Sequence, residues 1–210
     1  MAGNFARSDL SLLSQNNQRV SRILKAVLVA VFTALCLGTN YAMTSLPNVK
    51  IMDALVFTAG FMFGLDVGFG VAIMTRVVYG FFNPYGPAPF PLILFLIAGE
   101  CFYAVAGVAL RKWSFTRDLL TSRTSVRGMS YIFGLTGFVA TFAYDALTNF
   151  ATYLFLVNSL YQAFIIGMIT GVPFGVLHEV TNVVFFATVV PATIVASRRL
   201  GPRVSLVLSR

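Results

Sequence analysis

Four of the seven acidic side chains in this sequence, Asp53, Glu100, Asp145 and Glu179, fall inside apolar runs. An ionisable group in such a place is costly and marks a functional site by default. No lysine or arginine lies between Arg127 and Arg198. Asp145 and Glu179 therefore need a partner from outside that stretch, either a ligand or a coupling ion. Asn149 stands one turn beyond Asp145, and His178 stands four residues before Asn182, so each pair shares a helical face. His178 alone reads more often as a satisfied core histidine, and its inclusion rests on these neighbours. Arg76 and Glu100 form the other buried charged set, and their natural reading is a structural ion pair between adjacent helices.

Motifs for catalysis are missing. His178-Glu179-Val180-Thr181-Asn182 begins like the zinc-protease H-E-x-x-H motif, but Asn182 replaces the second histidine and the metal loses a ligand. There is no P-loop, no G-x-S-x-G elbow and no C-x-x-C. Cys36 and Cys101 both lie in apolar runs, where cysteine behaves as a small hydrophobe. The expectation is a protein that is not an enzyme and has no cofactor and no metal.

The elements that must position these groups are membrane helices. Hydrophobic residues make up 58% of the 210 and charged residues 10%, with a mean hydropathy of +0.83, far from the composition of an average soluble domain. The net charge of +8 gathers in stretches 7–25, 111–127 and 198–210, outside the apolar runs. That distribution fits the positive-inside rule and not a nucleic-acid surface. Residues 1–22 lack an early apolar core and a small-residue cleavage site, so a cytoplasmic segment is expected there.

Apolar runs at 23–42, 51–65, 67–82, 91–110 and 129–156 predict five spans, given the ~20 residues a crossing needs. The Pro47, Pro84, Pro87 and Pro89 loops and the 64–68 glycine break separate the first four. The last apolar region, 161–196, is interrupted by Gly167, Gly171, Pro173 and Gly175 and divides into an outer segment and a sixth helix from about residue 174. The expected fold is all-α, with six transmembrane helices in residues 23–199, both termini cytoplasmic, a tail at 200–210, and a multi-pass place in the cell membrane. Counting ~1.5 Å per residue puts Asn40, Asp145 and Glu179 in one outer layer, bracketed by His178 and Asn182, with Asp53 near the outer end of its helix. The same count puts Arg76 and Glu100 near the midplane. Tyr41, Tyr85 and Tyr103 could stack on a ring-shaped ligand, although tyrosine is also enriched at membrane interfaces.

This layout, the small-residue face Ala26-x-x-x-Ala30-x-x-x-Ala34, the Pro47-Asn48 loop, the 60–68 hairpin and the Asn83-Pro84 loop together resemble the substrate-binding S components of energy-coupling-factor (ECF) transporters. The resemblance covers roughly residues 23–199. It implies a subunit that captures a vitamin or similar nutrient at its outer face, with Ala26, Ala30 and Ala34 against a membrane T subunit and two separate ATP-binding subunits driving uptake. It further implies that Asn40, Asn83, Tyr85, Asp145, Asn149, His178, Glu179 and Asn182 are the candidates to line the pocket. An acid-rich pocket would suit a cationic or donor-rich ligand such as thiamine, its pyrimidine precursor or a modified deazaguanine. Two readings compete: a proton- or cation-coupled carrier using Asp145 and Glu179, and a non-transporting scaffold.

Overall fold

A computed structural model describes the backbone of residues 2–113 and 129–198 and the side chains of 18–113 and 129–196. The basic stretch after Trp113 and the C-terminal tail lie outside the described residues. Among those described there are six helices and no strand: α1 Ala2–Ala42, α2 Met52–Phe63, α3 Leu65–Phe81, α4 Phe90–Lys112, α5 Ser130–Leu154 and α6 Leu160–Arg198. Three helical stretches, Gln18–Ala42, Phe90–Lys112 and Leu160–Ala196, are long and apolar enough to cross a membrane. α5 is 25 residues long, but Asp145, Asn149 and four threonines along it lower its apolarity.

The axis of the bundle is α2. All twelve of its residues are buried, and it packs against α1, α3, α4 and α6. Phe57 and Phe61 meet Phe133 of α5 edge-on, with ring centroids 6.1 and 5.8 Å apart, and Phe57 lies 5.0 Å from Phe186 of α6. With every residue covered by neighbouring helices, α2 presents no face to solvent or lipid. Its last turn is capped from α4, where Arg111 Nη1 donates to the Met62 carbonyl at 3.0 Å, a cation placed at the negative end of a helix.

One residue joins α2 to α3. Gly64 has φ 90° and ψ −177°, a conformation open to glycine, and its N–H still bonds to the Gly60 carbonyl at 3.0 Å. Small residues also set the spacing to α4, since a Cβ on Gly60 would stand 2.5 Å from the Ala104 carbonyl oxygen. Across the joint, Lys25 of α1 reaches Asp66 of α3 at 2.7 Å; both are solvent-accessible, so the pair adds little stability.

The helix that carries the first expected span, 23–42, begins at Ala2 and runs through the polar N-terminal stretch. One boundary differs from the sequence reading. The 161–196 region is not divided near residue 174, because α6 continues through Pro173 and Pro191 as one 39-residue helix. A proline removes a single N–H, and neighbouring helices can hold such a helix together. The glycines read as interruptions are packing positions: a Cβ on Gly167 would strike the Asn149 backbone and one on Gly171 the Asn149 side chain, which seats α6 tightly on α5.

Candidate functional site

Five helices send polar side chains into one buried network. His178 of α6 lies between two carboxylates, with Nε2 2.7 Å from Asp53 Oδ2 and Nδ1 2.9 Å from Asp145 Oδ1. Asn182, one turn further along α6, donates to Asp53 Oδ2 at 2.9 Å and to Thr141 Oγ1 at 2.8 Å. Tyr103 of α4 adds its hydroxyl, 3.2 Å from Thr141 Oγ1. On the other side of Asp53, Arg76 of α3 lies 3.6 Å from Oδ1 through Nη2. The same guanidinium grips Glu100 Oε2 with Nε at 2.7 Å and Nη2 at 2.6 Å. Its flat face covers the Tyr144 ring, 4.9 Å from the centroid. Asp53, Glu100, His178 and Asn182 are entirely inaccessible.

This geometry fixes a proton count. Both imidazole nitrogens face carboxylate oxygens, and a neutral ring has only one N–H. The Asp53–His178–Asp145 chain therefore holds one proton beyond a neutral histidine with two carboxylates. With His178 as imidazolium, three acids face two cations. Charges so deeply buried persist only when paired and hydrogen-bonded.

A cavity of about 300 Å³ opens at the end of the bundle where the α1–α2 and α3–α4 connections meet. Asn40, Lys50, Tyr79, Asn83, Tyr85 and Phe174 are among its walls. The connections are clasped over it: the Tyr85 hydroxyl donates to the Thr44 carbonyl, Tyr41 to the Phe82 carbonyl at 3.1 Å, and Asn48 Nδ2 to the Phe174 carbonyl at 3.1 Å. Asn83 accepts the Tyr85 N–H on Oδ1 at 2.9 Å, closing a tight turn. Asn40 is only 3% exposed, and its Nδ2 has no hydrogen-bond partner among the described residues.

A second cavity of about 220 Å³ lies on the flank between α5 and α6, with Asp145, Asn149 and Glu179 in its walls. The eight residues proposed for one pocket thus occupy three places. Asn40, Asn83 and Tyr85 line the end cavity, His178 and Asn182 belong to the sealed network, and Asn149 and Glu179 line the flank. Asp145 touches both network and flank. The pocket at the end is not acid-rich, as no carboxylate is among the described residues of its walls, and Asp145 has a basic partner in His178. Arg76 and Glu100 are in contact, and through Asp53 they join the same network as His178.

Ala26, Ala30 and Ala34 are all exposed on α1, in line with exposed Gly38 and Ala42. Sequence reasoning left out Lys50 and did not make Asp53 a site residue. The signal for both was present: Lys50 is the sole basic residue between Lys25 and Arg76 and stands three positions before an acid in an apolar run.

No protein-family model, curated protein or solved structure matches this chain. Fold and site define its class: an all-helical protein with helices fit for a bilayer, a buried charge network and a clasped cavity at one end.

Proposed function

We propose that this protein is the membrane-embedded substrate-binding subunit of an ECF-type importer, with six crossings, both termini cytoplasmic and the end cavity facing outward. It captures a small nutrient, a vitamin or related heterocycle, and separate T and ATP-binding subunits drive uptake. The observation that carries the reading is the end cavity, whose volume of about 300 Å³ lies at the small end of ligand-site sizes. A nine-tenths buried amide that lacks a partner, on Asn40, gives it a group that a ligand acceptor would satisfy. The exposed Ala26, Ala30 and Ala34 face supports docking of a T subunit, since small residues let membrane helices approach closely.

The test is a melting-temperature screen of the detergent-purified protein against vitamins and nucleobase-like compounds, because a ligand that binds only the folded state raises stability by RT ln(1 + [L]/Kd). One strong hit that disappears in Asn40→Leu is the expected result. Silence across the library, with wild type folded, counts against the reading.

The His178 chain favours one alternative, a proton-coupled carrier, because a proton shared by two carboxylates and an imidazole is a natural coupling site. Uptake into vesicles holding this protein alone, driven by a pH gradient without ATPases, would replace the importer reading with the carrier.

A further inference from the structure

Lys50 is the charged residue in the wall of the end cavity, and among the described residues its ammonium makes no hydrogen bond or ion pair. It is half-buried in the α1–α2 connection, where desolvation leaves a lysine short of a counter-charge. Burial, and next the nearby Arg76 guanidinium, hold its pKa below the usual lysine value, while Asp53, Asp145 and Glu100 oppose the shift from a greater reach than an ion pair. Those three carboxylates are committed elsewhere: Glu100 to Arg76, Asp145 to His178, and Asp53 to His178 and Asn182.

The rest of the wall bears on shape and polarity. Tyr79, Tyr85 and Phe174 contribute aromatic surface, and Tyr79 already packs against Tyr41 with centroids 5.5 Å apart. Tyr85 has spent its hydroxyl on Thr44 and offers its ring. The Asn40 amide is an unused donor, and the Lys50 ammonium is a second one carrying charge. Two unused donors, three aromatic side chains and no acid among the described residues of the wall make a cavity complementary to an anion.

We propose that the end cavity binds a small, flat, singly anionic molecule, an aromatic or heteroaromatic carboxylate, with its carboxylate on Lys50 and an acceptor on Asn40. This rests on the substrate-binding reading above and reverses the charge expected from the acids in the sequence. An anion there supplies the counter-charge that the fold does not, and the three carboxylates of the network remain with their own partners.

The test is a charge-matched series measured on one protein: pyridine-3-carboxylate, its neutral amide and the cationic 3-aminomethylpyridine, with the corresponding benzene compounds and larger ring carboxylates. Affinity is read from melting-temperature shifts and titration calorimetry on the full chain in detergent. Carboxylates should bind and their amides and amines should not. Lys50→Gln should weaken the best carboxylate by about thirtyfold or more, and Lys50→Arg should retain the preference for anions. Because the series is read first on wild type, a variant that fails to fold does not remove the test. Preferential binding of neutral or cationic members overturns the charge assignment and leaves the substrate-binding reading intact. If Lys50→Gln lowers the melting temperature but leaves the carboxylate affinity unchanged, Lys50 is only a distant counter-charge to the network and the inference fails. If no compound of either the series or the broader vitamin library binds, the substrate-binding reading itself falls.

Discussion

Removing the Arg76 guanidinium tests how the buried charges depend on one another. Arg76→Met leaves Glu100 without a cation and deprives Asp53 of one of its two, and breaking a buried pair from one side costs about 3–5 kcal/mol. The double variant Arg76→Met/Glu100→Met should recover most of that loss, since two apolar groups of similar volume can replace such a pair at little net cost. Thermal unfolding of wild type, both single variants and the double variant in detergent measures the coupling, and an additive double variant would show that the contact carries no energy. Much of this network was legible at the residue scale. Intramembrane acids, the His178–Asn182 face and the Arg76–Glu100 depth can all be read from spacing. Direction was not legible, because counting residues gives a height along a helix but no rotation about its axis. His178 and Glu179 are neighbours in the chain, yet one ring is sealed between Asp53 and Asp145 while the next side chain turns to the flank. Asp145 therefore read as unpaired when its partner was a histidine 33 residues away.

Glycines separate tight helix contacts from open ones. Gly60→Ala would drive a methyl to 2.5 Å from the Ala104 carbonyl oxygen, and backbone on both sides leaves no flexible atom to yield. An overpacking cost of about 1–3 kcal/mol follows. Gly38 has nothing within 4 Å of the added methyl, and Gly38→Ala should leave stability unchanged or raise it by about 0.5–1 kcal/mol, because alanine is the better helix former. Unfolding midpoints of the two variants check the contrast, and equal effects would remove the α2–α4 contact from the account. Apolar runs and loop prolines located α2 to α5 within a few residues of their ends. α6 was harder to read, because Gly167, Gly171 and Pro173 carry the same letters whether they break a helix or let another helix come close. Only the presence of Asn149 against them distinguishes the two.

For the whole molecule, the basic clusters and the helix count together predict that the two chain ends share a side of the membrane. Single cysteines near each end, in a chain with Cys36 and Cys101 replaced, should label with an impermeant maleimide from the same face of oriented vesicles. Labelling from opposite faces would mean an odd number of crossings. The central position of α2 has a further consequence, for how the protein is made. Its twelve residues would extend only ~18 Å, well short of the ~30 Å hydrocarbon layer, and they carry Asp53 in the first turn. The groups that hold that carboxylate arrive late in synthesis: Arg76 follows soon after, but His178 and Asn182 emerge only with the last helix. During biogenesis α2 cannot be held in the bilayer by its own hydrophobicity, and its acid remains incompletely paired until translation is almost finished. Chains truncated before α6 should accordingly be substrates for membrane quality-control proteases, whereas the full-length chain is not.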